Sequence, residues 1–171
     1  LYTFNASNAP VRLLASGATV SKDGKTIVIS LRKGVQFHNG QAMTSADVLA
    51  SLQRWGEFGS RGSLIFDHVA SVEATGDYEI TLNLKEPFGP WKNLMAFING
   101  GPAIHPASIM TGATKEPIAP ENYIGTGPYK FNAWEANRYV ELVSFDDYVS
   151  PSGKADGYGG ARVAEFDTLR F

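Results

Sequence analysis

Residues 21–55 read SKDGKTIVISLRKGVQFHNGQAMTSADVLASLQRW, and this stretch predicts a hairpin, a strand and a second turn in quick succession. Asp23-Gly24 is a dipeptide that favours a short hairpin loop. The apolar residues of 27–31 then occupy alternate positions, which predicts a strand with one apolar face. Asn39-Gly40 predicts a second tight turn after that strand.

The second half of the same stretch predicts a helix. Thr44 can begin it, with Asp47 three residues later as its partner in a capping box. The apolar residues that follow share one helical face and lead to Trp55; they are Val48, Leu49 and Leu52. Residues 56–62 contain three glycines and are predicted to be irregular.

The remainder of the chain continues as strands with occasional helices. Gly76-Asp77 separates two predicted strands, and Pro87 and Pro90 precede a short helix with one apolar face, formed by Trp91, Leu94, Met95 and Ile98. Residues 99–121 are predicted to be loop with a short helix near Ala107. Further strands are predicted at 129–134, at 139–145 and near the last residue. Hairpins separated by single helices favour an α+β fold with a mostly antiparallel sheet.

Composition and charge exclude several classes of function. The chain has 171 residues, of which 43% are hydrophobic, and this suits one soluble domain. Its net charge of −2 offers no basic surface for nucleic acid. Cysteine is absent, and the three histidines, His38, His68 and His105, have no metal-ligand spacing. We therefore expect no metal, no cofactor and no catalytic constellation.

The segment IGTGPYKFNAW, residues 124–134, has a Gly-x-Gly and a lysine, as a phosphate loop would. A phosphate loop, however, needs a helix directly after its glycines. Here Tyr129, Phe131 and Ala133 alternate with polar residues, which indicates a strand. We therefore interpret Gly125 and Gly127 as a turn that leads into this strand.

Aromatic side chains are the main candidates for the core. Base rates place most of Trp55, Phe58, Trp91, Phe97 and Trp134 inside the protein. Trp55 and Phe58 border the glycine-rich residues 56–62, however, so either of them could instead line a ligand cleft. The sequence leaves both readings open.

Several segments together resemble the bacterial extracellular solute-binding proteins of family 5, which serve peptide- and nickel-type ABC transporters. The family reads Leu-Arg-x-Gly-Val-x-Phe-His-x-Gly, followed by Thr-x-x-Asp-Val at the start of a helix. Every position matches here: Leu31, Arg32, Gly34, Val35, Phe37, His38, Gly40, Thr44, Asp47 and Val48. LNLKEPFGP, GTGPYKF and FDDYV resemble further family segments, with Asp146 where the family usually has Asn.

The resemblance implies a fold and a role. Family members are much longer and have two lobes, so residues 1–171 are expected to be a single domain, an excised segment of lobe I of a class II periplasmic-binding-protein-like fold. The implied role is the non-enzymatic binding component of an ABC importer, which captures a peptide-like or other small solute for the permease. The location would be periplasmic or extracellular, with a lipid anchor available to the full-length protein. A ligand-sensing domain of a regulator is the alternative.

The resemblance also indicates where a solute could bind. In the family, the irregular segment after the first helix can reach the ligand groove, and here that segment is GEFGSRGSL, residues 56–64. Arg61 is its one cation and could pair with a carboxylate of the solute, or it could be a solvated arginine. Asn99, on a second loop, is a weaker candidate. Together with Trp55 and Phe58, these residues are the candidate ligand-binding residues.

Overall fold

A computed structural model of the protein describes residues 1–112 and 115–171, in which three antiparallel sheets and four α-helices follow one another. The helices are α1 (Ser45–Phe58), α2 (Ser60–Phe66), α3 (Trp91–Ala96) and α4 (Ala107–Met110). The strands are β1 (Tyr2–Phe4), β2 (Pro10–Arg12), β3 (Ala15–Val20), β4 (Thr26–Leu31), β5 (Val69–Gly76), β6 (Glu79–Leu84), β7 (Tyr129–Glu135), β8 (Tyr139–Ser144) and β9 (Thr168–Arg170). The predicted α+β class is confirmed.

The core lies against the four-stranded sheet, whose strand order is β3-β4-β6-β5. Alternate side chains of its two central strands are buried, as the period-two pattern predicts; they are Ile27, Ile29, Leu31, Ile80, Leu82 and Leu84. Each such side chain contributes about 1.5–3 kcal/mol when it leaves water. Both predicted hairpins are present, because β4 pairs antiparallel with β3 and with β6, and β6 pairs with β5. One face of this four-stranded sheet, which we call the first sheet, is therefore buried in the core.

Helix α1 begins as the sequence predicts. One Asp47 carboxylate oxygen accepts hydrogen bonds from the Thr44 backbone N–H at 2.8 Å and from the Thr44 hydroxyl at 3.0 Å. The other oxygen accepts one from the Ala107 N–H at 2.8 Å. Asp47 is only 1% exposed, so these partners replace the water that its carboxylate has lost. The cap thus also attaches α4, which confirms the helix predicted near Ala107.

The prediction of an irregular segment at residues 56–62 is wrong. Helix α1 continues to Phe58, and after Gly59 helix α2 begins at once. The glycines allow close packing of the two helices: a Cβ at Gly62 would overlap the Trp55 carbonyl oxygen. The local sequence predicts loop residues here, whereas in the structure these glycines allow two backbones to approach closely.

Two smaller corrections concern α3 and the loop after it. Helix α3 ends at Ala96, so Ile98 does not share its buried face and is 63% exposed. Residues 113 and 114 of the predicted loop at 99–121 lie outside the described residues. No helix in the described ranges has the length and apolarity needed to cross a membrane.

The three-stranded sheet β7-β8-β9, which we call the second sheet, is much less buried than the first. Every residue of its three strands is at least partly exposed. A bulge between Phe131 and Ala133 interrupts the pairing of β7 with β8. Since a bulge reverses the alternation of side chains, Trp134 joins Tyr129 and Phe131 around one concavity, in place of the predicted Ala133. Trp134 is 56% exposed, so its prediction as a core residue is wrong.

His38 connects the two sheets. Its Nδ1 accepts a hydrogen bond from the Gly125 N–H at 3.2 Å, and its Nε2 donates one to the Gly127 carbonyl at 3.1 Å. Its backbone N–H donates to the Gly125 carbonyl at 2.9 Å. The backbone bends at residues 126–128 and leads into β7, as the sequence predicts, but neither Gly125 nor Gly127 has a positive φ. A histidine from another turn holds this bend.

Candidate functional site

Arg61 lies in the first turn of α2 and reaches the loop after α3. Its Nη1 donates a hydrogen bond to the Asn99 carbonyl at 2.6 Å. Its guanidinium carbon lies 4.3 Å from the centre of the Phe97 ring, in a cation–π contact. The structure therefore brings together two candidate residues that are 38 positions apart in the sequence.

Trp55 holds the same loop, the one after α3, through a hydrogen bond to its backbone. It is 8% exposed, and its Nε1 donates to the Gly100 carbonyl at 2.8 Å. Gly100 has φ +82°, and a Cβ there would come within 2.5 Å of the Arg61 Nη1. The conformation and the space both require glycine. Trp55 thus fixes the backbone on which Asn99 and Phe97 are presented.

Phe58 has a different ring contact. The guanidinium of Arg54 lies 5.6 Å from the centre of its ring, and both residues belong to α1. Phe58 is half-buried and follows Trp55 by three positions. Of the four candidate residues, the described contacts thus connect Trp55, Arg61 and Asn99 through one loop and leave Phe58 with Arg54.

Phe97, against which Arg61 lies, belongs to a group of exposed apolar side chains. Phe97 is 39% exposed, and its ring meets the edge of Phe4 at a centroid distance of 5.2 Å. Tyr158 is 60% exposed, and its backbone N–H donates to the Phe4 carbonyl. With Ile98, Phe97 and Tyr158 line a cavity of about 330 Å³. We call Phe4, Arg61, Phe97, Ile98, Asn99 and Tyr158 the Arg61 face.

Sequence reasoning missed most of this face. Phe97 was predicted to be core, but α3 ends just before it and leaves its ring half outside. Tyr158 lies in a loop far along the chain, and no local pattern connects it with Phe4. An aromatic residue directly after a short helix indicates an exposed binding surface only when the end of the helix is known. The prediction extended α3 to Ile98, whereas the helix ends at Ala96.

Two cations contribute to the electrostatics of this face. Arg162 lines the cavity and donates a hydrogen bond to the Tyr158 carbonyl. Arg61 does not line the cavity but lies against the Phe97 ring. Within residues 1–112 and 115–171, no ion pair engages its guanidinium. A guanidinium has five N–H donors, and the Asn99 carbonyl occupies one of them. The face therefore combines aromatic rings with a fixed, unneutralised cation, an arrangement suited to a carboxylate carried on an apolar group. Among the described residues, no group of three or more His, Asp or Glu side chains could hold a metal ion.

A second concave surface lies on the second sheet and has a volume of about 510 Å³. Its lining is almost wholly apolar and includes Tyr129, Phe131, Trp134 and Leu142. His105 is at its edge, with a buried Nδ1 that has no hydrogen-bond partner in the described structure. Burial lowers the pKa of His105 and of His38 below the ordinary histidine value. Both rings are therefore neutral near pH 7.

Comparison with known proteins connects these features to a family. The family model of bacterial extracellular solute-binding proteins, family 5 Middle, matches residues 9–171. The probable peptide ABC transporter periplasmic-binding protein y4tO of Sinorhizobium fredii (strain NBRC 101917 / NGR234) is 31% identical, over 99% of this chain and 32% of its own length. The glutathione-binding protein GsiB of Escherichia coli (strain K12) is 30% identical, over 91% of this chain and 30% of its own length.

Solved structures agree with the sequence comparisons. The PBP AgaA from A. tumefaciens R10, in complex with agropinic acid, superposes with a TM-score of 0.79 at 25% identity, over 100% of this chain and 32% of that one. The oligopeptide-binding protein AppA from Bacillus subtilis, in complex with a nonapeptide, gives a TM-score of 0.72 at 30% identity, over 86% of this chain and 30% of that one.

The share of each relative that is covered defines the extent of the match. This chain spans about a third of the length of the relatives named above. Over that third, the match includes the LRKGVQFHNG turn, the Thr44 cap and the GTGPYKF strand. The chain belongs to the bacterial extracellular solute-binding proteins of family 5.

Proposed function

We propose that this chain is part of the solute-binding component of an ABC importer. It captures a peptide-like or other small solute outside the cytoplasmic membrane and delivers it to the permease subunits. The family match over residues 9–171 is the observation that carries this proposal. The relatives named above are binding proteins, so none of them favours the regulator alternative.

In this proposal the chain is a segment of the first lobe, and the rest of a longer chain forms the opposite wall of the cleft. The length of the relatives supports this, since each is about three times as long as the matched segment. The protein works in the periplasm or outside the cell, and a lipid on the full-length protein can hold it at the membrane. Its family consists of transport proteins, and we assign no catalytic step to it.

The Arg61 face is our candidate for the wall that contacts the solute. Phe97, Ile98 and Tyr158 would contact its apolar parts, and Arg61 would bind a carboxylate. A hydrogen bond that involves a charged group contributes about 1.5–3 kcal/mol. Trp55 and the Asn99 carbonyl would hold Arg61 and its loop in place without reaching the solute. Phe58, whose described ring contact is with Arg54 and not with this loop, is a weaker candidate for the solute contact.

Calorimetry on the longer protein and on the 171-residue chain tests this proposal, with glutathione and a nonapeptide as probes. Pockets commonly enclose 70–90% of a ligand, and one wall supplies only part of that. If half of the roughly 8 kcal/mol of a micromolar complex is lost, millimolar binding is left. We therefore expect micromolar binding by the longer protein and about a thousandfold weaker binding by this chain. Micromolar binding by the chain alone would place the whole site within residues 1–171.

A matched pair of variants in the longer protein tests the Arg61 face itself. Arg61→Gln should weaken binding about tenfold to a hundredfold, because it removes a charge-assisted hydrogen bond. Arg138→Gln changes an exposed arginine of the β7–β8 turn, which pairs with Glu135, and should leave affinity unchanged. Equal affinities for the two variants would remove Arg61 from the site but would leave the transport role standing.

A further inference from the structure

A third cavity, which Arg61 does not line, has a charge that is unusual for this protein. It has a volume of about 710 Å³ and lies between the β2–β3 segment and the loop at residues 151–160. Four cations and one carboxylate line it, although the whole chain has a net charge of −2. We call this cavity the basic groove; its charged residues are Arg12, Arg32, Lys92, Lys154 and Asp156.

The two arginines of the basic groove bind neutral partners. Arg12 donates to the Ser16 carbonyl at 2.6 Å. Arg32 donates to the Leu13 carbonyl at 3.1 Å and, from its other terminal nitrogen, to the Val149 and Ser150 carbonyls at 2.7 and 3.1 Å. Carbonyl oxygens fix these guanidinium groups without neutralising them. The positive charge of the groove is thus held in place.

The lysines and the carboxylate do not neutralise one another either. The Lys92 Nζ lies 5.2 Å from the centre of the Trp91 ring. The Asp156 carboxylate accepts hydrogen bonds from the Asn5 side chain at 3.2 Å and from the Ala6 N–H at 3.1 Å. No ion pair among the described residues includes any of the four cations. The groove therefore has a net positive charge that the described protein leaves uncompensated.

An unpartnered hydroxyl group gives an independent indication of a ligand. Tyr2 lines the groove and is 6% exposed, yet its hydroxyl is buried without a hydrogen-bond partner in the part of the chain described. Tyr2 lies directly opposite Arg12 in the β1–β2 pair, and directly opposed residues have their side chains on the same face. Burial raises the pKa of Tyr2 to about 12, so the hydroxyl is protonated near neutral pH and can donate a hydrogen bond.

We infer that the basic groove binds an oxyanion with two or more negative charges, such as a phosphate or a tricarboxylate. Arg12 and Lys154 supply the attracting charge, Arg32 contributes a fixed positive field, and the Tyr2 hydroxyl donates a hydrogen bond to an anion oxygen. The ligand would thus satisfy both the uncompensated charge and the buried hydroxyl. This site goes beyond the proposed solute contact, because Arg61, Phe97 and Asn99 do not line the groove; Tyr2 lies between the groove and the cavity of the Arg61 face and lines both.

Titration of the 171-residue chain with citrate and with inorganic phosphate, followed by amide NMR at low ionic strength, tests the inference. We expect saturable shifts at residues 10–18 and 151–160 below about 10 mM anion, with sodium chloride at equal ionic strength as the control. Shifts that do not saturate, or that sodium chloride reproduces, would overturn the inference.

Three variants separate a built site from general attraction. Tyr2→Phe removes an oxygen without a partner and keeps the ring against Trp91, so the variant should fold and should bind citrate about tenfold more weakly. Lys154→Gln should weaken binding to a similar degree. Lys22→Gln, an exposed lysine that does not line the groove, should change nothing. Equal citrate binding by all three variants would contradict the site.

The negative charges can come from a free oxyanion or from two or more acidic side chains elsewhere in a longer chain, and a second arm distinguishes these sources. This arm alone depends on the proposed two-lobed protein. Citrate binding to both the chain and the longer protein would identify a free anion. Binding to the chain but not to the longer protein would show that the adjoining chain occupies the groove. Binding to neither would overturn the inference.

Discussion

The two larger sheets of this protein have a similar content of apolar residues but different surroundings. In strands β4 and β6, the apolar side chains at alternate positions from Ile27 and from Ile80 are almost completely buried. Strands β7 and β8 are equally rich in aliphatic and aromatic residues, yet every one of their residues is at least partly exposed. An apolar strand therefore indicates a partner surface, but it does not say whether that partner lies within residues 1–171.

The difference also concerns how each sheet is attached. The first sheet is held by hydrophobic packing against α1 and by a hydrogen bond from the Ser45 N–H to the Asp77 carbonyl of the β5–β6 turn at 2.8 Å. The second is held at its start by the hydrogen bonds of His38 to the Gly125–Gly127 turn. Hydrophobic burial usually contributes more than two or three hydrogen bonds. We therefore expect the second sheet to be the less stable of the two.

The largest expected effect is the loss of unfolding free energy when a core side chain of either sheet is shortened. Ile29→Ala creates a cavity at a fully buried position of β4 and should lower the free energy of unfolding by about 2–5 kcal/mol. Leu142→Ala, in half-buried β8, should cost less than about 2 kcal/mol, because less apolar surface is lost. Urea denaturation followed by circular dichroism measures both values. Equal losses would show that the second sheet is as well packed as the first.

The next effect concerns the connection between the sheets. His38→Ala removes the two side-chain hydrogen bonds to Gly125 and Gly127 and should cost about 1–3 kcal/mol. Amide hydrogen exchange should accelerate more in β7 and β8 than in β4 and β6. His68→Ala is the matched control, because His68 pairs with the exposed Glu86, and should cost less than about 1 kcal/mol. Uniform acceleration across both sheets would contradict a local role for His38.

The smallest effect is on pH dependence. Burial lowers the pKa of His38 and of His105 below the ordinary 6.5, so folding favours their neutral forms. The stabilisation is complete above the ordinary pKa and is lost as pH falls below it, because the unfolded chain takes up protons first. The urea concentration at half-unfolding should therefore decrease as the pH is lowered from about 7.5 to about 5.5. The decrease should be smaller in His38→Gln. A midpoint that rises on acidification would contradict this.

Much of the first sheet could be predicted because its signals are local. The Asp23-Gly24 turn, the alternation at residues 27–31 and the Thr44 cap each depend on neighbours within a few residues, and all are confirmed. The glycines at 56–62 were misread, because a glycine required for close helix packing has the same local signature as a loop glycine. Only the position of Phe66 and of the Trp55 carbonyl relative to them resolves this.

The candidate site could be predicted only in part. Trp55, Arg61 and Asn99 were singled out separately, and the structure connects them through the loop that carries Gly100. Their arrangement, like the bond from His38 to Gly127, depends on contacts between residues 38 to 89 positions apart. The bulge that brings Trp134 to the face of Phe131 also escaped prediction, because an extra residue in one strand leaves no mark on its composition.

The exposure of Trp134 has an optical consequence. The chain has three tryptophans, and Trp55 and Trp91 are buried in the first core, whereas Trp134 is largely exposed on the second sheet. A water-soluble quencher should therefore reduce the red-shifted fluorescence of Trp134 and leave the blue-shifted fluorescence of Trp55 and Trp91 nearly unchanged. Whatever covers the second sheet, whether further chain or a ligand, would shield this fluorophore, so the protein has a built-in reporter for the surface that it leaves open.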